Sequence, residues 1–318
     1  MEKKLSTAKR VSEEQRILKV SIFLTIFIAG SGIVMGIFTG SSAIIFDGMY
    51  SALDGFFSIG ALVITKLLQM DADRHARKPQ FTERFQYGFW HLEPLLLLLN
   101  GSCLTIAVMY GFFDAASSLF RGGHTPSFGL GVIYAFITAV GCYGLALYEH
   151  RKNLKIRSAF ITIDVRGWII SGSISLAVFI AFISAYLIEG TSLHWFIPYV
   201  DPIVLLAICL MMAGMPLKIV WRAIQDVFMI TPTALDEHVT KVVDDIVKKY
   251  GFSDSQTYVA RVGRSKMIEI HLILPASYPI KTVEFIDKIR SEIGEEIGGA
   301  GPDRWLTVSF TAKEEWAL

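Results

Sequence analysis

The sequence predicts an α-helical membrane protein of six transmembrane helices, followed by a small cytoplasmic α+β domain. Three observations carry this. Of 318 residues, 53% are hydrophobic, only 19% are charged, and mean hydropathy is +0.48, whereas a soluble domain has nearer a quarter of its residues charged. The apolar residues gather into six long runs between residues 20 and 217, and basic residues fill every second connection between them. After residue 218 the composition turns polar, and short helix and strand periodicities replace the long runs.

A bilayer core takes about 20 apolar residues as helix. Residues 20–38 carry no charge, and residues 41–65 are interrupted only by Asp47 and Asp54. Residues 94–113, 126–148 and 167–188 are uncharged. The sixth run, 202–217, is short and is completed by residues 196–200. Lys3, Lys4, Lys9, Arg10, Arg16 and Lys19 precede the first run; the second connection holds Lys66, Arg74, Arg77, Lys78 and Arg84; the fourth holds Arg151, Lys152, Lys155 and Arg157. The first and fifth connections hold none and the third only Arg121. Basic loops stay in the cytoplasm, so both termini are expected there, in a multi-pass protein of a bacterial inner membrane. The expected organisation is an N-terminal arm over 1–18, a membrane domain over 19–220, and a linker with the α+β domain over 221–318.

In the tail, Pro232 marks a boundary and Thr233 is placed to cap a helix over 235–250, where Leu235, Val239, Val242 and Ile246 share a face. Residues 257–262 read as a strand, Gly263-Arg264 as a turn, and 267–274 as an alternating strand with Ile268, Ile270, Leu272 and Leu274 on one side. A helix over 280–293 and a last strand over 305–310 complete an α-β-β-α-β order, with helices packed on one face of a sheet.

Several function classes drop out. The net charge of +1 gives no nucleic-acid footprint. Cys103, Cys142 and Cys209 are far apart, so neither a CxxC site nor a disulfide framework is expected. Residues 1–20 are polar and charged, unlike a secretory signal. The absence of GxxxxGK[ST] and HExxH motifs, and of a Ser/His/Asp set, argues against an ATP-driven pump and against an enzyme.

The informative residues are ionisable ones inside apolar runs, where a charge costs at least about 2.5–3.5 kcal/mol. Asp47 and Asp54 lie two helical turns apart on one face, with Tyr50 and Ser51. Asp164 leads into the fifth run, with Arg166 beside it. These acids read either as a cation pathway or as a structural network neutralised by Arg166. Glu93 could line such a pathway or favour the N-terminal dipole of the third helix. Asp201-Pro202 reads as the capped start of the sixth helix. Asp71, Asp73 and His75 sit within five residues, a weak metal set or a solvated loop. His271, alone on the polar side of its strand, is too little for zinc, which takes three or four ligands.

These residues together resemble the cation diffusion facilitator transporters. The resemblance rests on six spans with a C-terminal α-β-β-α-β domain, on Gly40-Ser41-Ser42-Ala43 followed by the segment from Asp47 to Asp54, on Tyr87-Gly88 with Glu93, on Asp164, on Asp201-Pro202, and on Pro275-Ala276-Ser277. It implies alternating-access export of a divalent metal cation in exchange for protons as counter-ion, a homodimer, no resident cofactor, and a metallochaperone-like cytoplasmic fold. It also implies a four-ligand transport site whose positions here are Tyr50, Asp54, Gly167 and Ser171, of which only Asp54 is a strong ligand. Phe89 stands where the family carries a histidine. The regulatory metal positions fall on His271, Glu284, Ser309 and Thr311, so no tightly bound metal is expected there. Three readings stay open: an all-oxygen site of Asp47, Tyr50, Asp54, Asp164 and Ser171 favouring harder ions; a monovalent or organic cation, the latter stacked on Tyr50 or Trp168; or a transport-inactive partner with Arg166 in the vacated charge position.

Overall fold

The computed structural model describes residues 7–72, 89–156, 159–263, 265–279, 282–301 and 304–317. The chain divides into two units, Met1–Gly60 with Asn100–Lys218, and Ala61–Leu99 with Ile219–Leu318.

The first unit is built from long helices: α1 (Thr7–Thr39), α2 (Ser42–Ala72, to Gly60), α3 (Leu92–Phe120, from Asn100), α4 (Phe128–Ile156), α5 (Ala159–Ile188) and α6 (Ile197–Met212), with the start of α7 (Gly214–Val227, to Lys218) following. Among the described residues five helical stretches are long and apolar enough to cross a membrane: Lys19–Thr39, Leu92–Phe120, Phe128–Leu154, Asp164–Ile188 and His194–Val227. The 31-residue α2 is the sixth candidate, its apolarity diluted by Asp47 and Asp54. Large apolar side chains such as Phe23, Phe38, Phe113 and Met211 point outward, as they must where the solvent is hydrocarbon rather than water.

Small residues set the helix spacing. A Cβ at Gly48 would lie 2.6 Å from the Ile33 backbone nitrogen, and one at Gly36 would lie 2.5 Å from the Ile45 side chain. So α1 and α2 meet backbone to backbone, the usual way to gain packing in a membrane, where burial from water drives nothing. Phe46, Val108, Ala135, Val178, Phe182 and Leu205 form the core between α2, α3, α4, α5 and α6. A second cluster joins Ile17, Cys142, Ala146, Ile161, Val165 and Trp168.

The second unit contains α8 (Thr233–Tyr250), β1 (Asp254–Val262), β2 (Ser265–Ile273), α9 (Val283–Ile297) and β3 (Arg304–Thr311). The sheet order is β1-β2-β3, with β1–β2 antiparallel and β2–β3 parallel. The parallel pair needs a crossover, which α9 supplies. The expected alternation holds: Ile268, Ile270 and Leu272 are buried with Val239, Val243, Ile246, Ile289 and Ile293 from the two helices. Tyr258, Glu269, Trp305 and Thr307 remain exposed on the opposite sheet face. Two ends differ from expectation. The N-cap of α8 is Pro232 and no side chain caps it, so Thr233 is the first helical residue instead of the cap. The helix expected from 280 begins at Val283, because Thr282 is extended and its hydroxyl accepts from Phe285 N at 3.3 Å; this is ordinary N-capping.

Candidate cation site

The acids of the membrane unit fall at three levels along α2 and α5. The first level is set by Asp47, buried at 6% exposure, whose Oδ2 accepts from Ser175 Oγ on α5 at 3.2 Å. The Tyr134 phenol of α4 faces the same place, beside Ser31 and Thr138. Gly48 lets this level sit against the α1–α2 crossing.

Asp54 defines the second level, about 10 Å further along α2 at 1.5 Å per residue. Its side chain is exposed while Asp47 and Ser51, on the same helix face, are buried. An exposed carboxylate inside an apolar helix must look into water or protein and not into lipid. Tyr50, one turn away, is half-buried, packs its ring at 6.1 Å from Phe46, and feels the Asp54 charge. On α5, Trp168 lies seven residues before Ser175, hence level with Asp54. Ser171 is half-buried, and Gly167 is exposed with nothing within 4 Å of where a Cβ would stand. The position that would carry a ligand in the resemblance therefore has no side chain and no neighbour within 4 Å of where one would start.

The third level is where Asp164 sits, about 16 Å from the Ser175 level along α5. Asp164 lies close enough to Asp54 for their charges to interact. Its carboxyl also touches that of Glu149 on α4, and both reach the hydroxyl of Ser21 on α1. Trp168 Nε1, one turn beyond Asp164, donates to Ser21 Oγ at 2.9 Å. Arg166 is exposed and two residues from Asp164, which puts it on another face of α5.

Glu149 was missed by the sequence reading, which ended the fourth apolar run at residue 148 and left Glu149 to a basic loop. The helix runs on to Ile156. Helical spacing places Glu149 below Cys142 and Ala146, both buried, and Glu149 is 1% exposed; that spacing was the available signal.

Asp201 also differs from expectation. It does not cap the sixth helix, which starts four residues earlier at Ile197 behind Phe196 and with Pro198 in its first turn. Asp201 is fully buried and caps α2 instead, accepting from Ser41 Oγ at 2.6 Å, Ser42 N at 3.0 Å and Ala43 N at 3.4 Å. His124, in the α3–α4 connection, faces Asp201 Oδ2 at 3.3 Å and Gly40 O at 2.9 Å with Nε2, and Ser118 Oγ with Nδ1. The hydrogen bond to Asp201 raises the basicity of His124 above the usual imidazole range.

In the second unit, Glu93 lies in the first turn of α3 against the β1–β2 turn at Gly263. His271 is half-buried, with Nδ1 on Ser309 Oγ at 2.7 Å and Nε2 on Glu269 Oε1 at 3.2 Å. Glu284 is exposed in the first turn of α9. Asp71 lies in the last turn of α2, which ends at Ala72, and Asp73 and His75 lie outside the described residues. Among the described residues no three His, Cys, Asp or Glu side chains gather as a preformed metal cage.

Two comparisons with known proteins gave matches. Residues 18–227 match the cation efflux transmembrane domain family. Over 295 residues, 90% of this chain and 93% of the relative, the sequence is 23% identical to the manganese efflux system protein MneP of Bacillus subtilis strain 168.

Proposed function

The chain belongs to the cation efflux family, and from that premise we propose that it exports a hard divalent cation, Mn²⁺ first, from the cytoplasm in exchange for protons. It is a multi-pass membrane transporter of the metal-cation export type, not an enzyme.

One observation carries the finer reading. Asp54, halfway along an apolar helix, is an exposed carboxylate whose charge reaches Tyr50 one turn away on α2 and Asp164 on α5. With Asp47, Tyr50, Asp164 and Ser171 as the remaining candidates, every available ligand atom is oxygen. Oxygen sets suit Mn²⁺ and Mg²⁺ better than the softer metals that prefer imidazole and thiolate. The manganese efflux protein among the relatives points the same way.

The mechanism follows from charge balance. A carboxylate in a low-dielectric site is unfavourable without a counter-charge, so an empty site takes a proton and a filled one releases it. Competition at Asp54 thereby couples cation exit to proton entry. Alternating access would expose Asp54 first to the cytoplasm and then to the Asp47 side. We place both termini in the cytoplasm from the loop charges, and we take the functional unit to be a homodimer.

The test is transport into proteoliposomes with an internal pH dye, offering Zn²⁺, Mn²⁺, Fe²⁺, Co²⁺, Cd²⁺, Mg²⁺ and Na⁺ in turn. The expected result is a proton flux with Mn²⁺ that disappears in Asp54→Ala. Equal flux in the variant removes Asp54 from the mechanism. Silence with every ion, from folded dimeric protein, turns the assignment to a non-transporting partner or an organic-cation carrier.

A further inference from the structure

The Glu149–Asp164 pair brings to Asp164, a candidate of the proposed transport site, a second buried acid that the site does not use. Glu149 is 1% exposed, Ser21 2% and Trp168 5%. Glu149 Oε2 and Asp164 Oδ2 are both buried and make no hydrogen bond. His150, Arg151, Lys152 and Arg166, the nearest cations in sequence, are all exposed. Two carboxyls in contact cannot both stay ionised without a counter-charge, and removing such charges from water costs several kcal/mol per ion unless they are paired.

We infer that Glu149 Oε2, Asp164 Oδ2 and Ser21 Oγ form a second cation site, a loading site for a hard divalent ion at the end of the bundle where α1 enters and α4 leaves the apolar zone. The inference rests on the export reading and adds to it a residue, Glu149, and a second bound ion. The geometry fits the class of ion. Three helices contribute one oxygen donor group each, and their packing around Cys142, Ala146, Ile161 and Val165 holds the donors in place. Trp168 Nε1 donates to Ser21 Oγ, which takes up one lone pair of Ser21 and leaves the other for an ion. Two carboxylates and a hydroxyl leave further positions for water, the arrangement that Mg²⁺-like ions accept because they dehydrate reluctantly. No imidazole or thiolate is among the donors, so zinc has no preference for the site. Asp54 is the next acid along the path and its charge already reaches Asp164. An ion held at Glu149 and Asp164 therefore moves to Asp54 without leaving the influence of a carboxylate.

The experiment counts Mn²⁺ bound to the purified full-length protein by electron paramagnetic resonance and follows tryptophan quenching in parallel. Wild type should bind two ions per chain. Glu149→Gln should bind one, with at least tenfold weaker affinity for the other, while Asp54→Ala should keep the Glu149 ion. Mn²⁺ beside Trp168 should quench its fluorescence in wild type and in Asp54→Ala but not in Glu149→Gln, and Trp168→Phe should remove the quenched component. Equal Mn²⁺ counts and equal quenching in wild type and Glu149→Gln overturn the inference, since the pair then holds a shared proton instead. Should Glu149→Gln misfold, absence of Trp168 quenching in the unmodified protein overturns it alone. Failure of the export reading is seen elsewhere, as undiminished proteoliposome transport in Asp54→Ala.

Discussion

Gly167 separates what a side chain could do here from what it does. Its Cβ position opens on empty space, and Ser171 follows one turn later. The double variant Gly167→His, Ser171→Asp therefore meets no clash at residue 167 and supplies imidazole and carboxylate at the two α5 positions that the resemblance pairs with Asp54. It should shift the cation preference from Mn²⁺ toward Zn²⁺ in the proteoliposome assay, because nitrogen ligands favour the softer ion. At this scale the sequence was informative wherever an acid interrupts an apolar run. Asp47, Asp54 and Asp164 were legible for that reason. Glu149 was not, because three cationic-type residues follow it and disguise the end of an apolar helix as a loop. The partner of Asp201 was hidden for a different reason: the cap lies about 160 residues away in sequence, at Ser41, and local capping rules look only a few residues ahead.

Between elements, the contact of α6 with the start of α2 depends on one carboxylate. Asp201→Ala leaves Ser41 Oγ and the Ser42 and Ala43 amides without their acceptor, and should cost about 2 kcal/mol, the upper range for a lost helix cap. Thermal unfolding in detergent measures it. His124 makes the same corner sensitive to pH. The folded-state basicity of His124 is raised by Asp201, so its contribution to stability is complete below the unfolded imidazole value of about 6.5. That contribution is lost as pH rises through the elevated folded value. The melting temperature of wild type should therefore fall across that interval, and His124→Gln should flatten the slope. The α1–α2 crossing should be less forgiving. Gly48→Val drives two methyl groups into the Ile33 backbone, where a Cβ alone would stand 2.6 Å from nitrogen. Overpacking of this kind costs about 1–3 kcal/mol or more, and the variant should melt earlier with reduced transport. Helix and strand identities were readable from periodicity, while their ends were set by capping and by tertiary contacts, as at Pro232 and Thr282.

For the molecule as a whole, six crossings would return the chain to the side it started from. Single cysteines placed at residue 2 and at residue 313, in a background lacking Cys103, Cys142 and Cys209, should be labelled together from the cytoplasmic side of sealed vesicles and spared together from the other. Labelling from opposite sides would mean that α2 does not cross. The long helices were legible because hydropathy reports directly on the bilayer, and the α-β-β-α-β tail because its alternation was regular. How the acids of different helices pair was not legible, since pairing depends on the rotation and depth of each helix, which a single chain of letters does not encode.

The corner at Asp201 has a mechanical consequence. Four donors from α2, its leading turn and the α3–α4 connection converge on one buried carboxylate, so α2 and α6 cannot slide past one another there without breaking all of them. What remains is a lever. With the fulcrum at Ser42, Asp54 lies about 18 Å out along α2, and a tilt of about 10° carries it roughly 3 Å while residues at the fulcrum barely move. The same tilt displaces the far end of α2 further still. Opening of the pathway should thus be largest at the Glu149–Asp164 end and smallest at Ser41, and the gate on the Asp201 side has to work by side-chain rotation in place of helix travel.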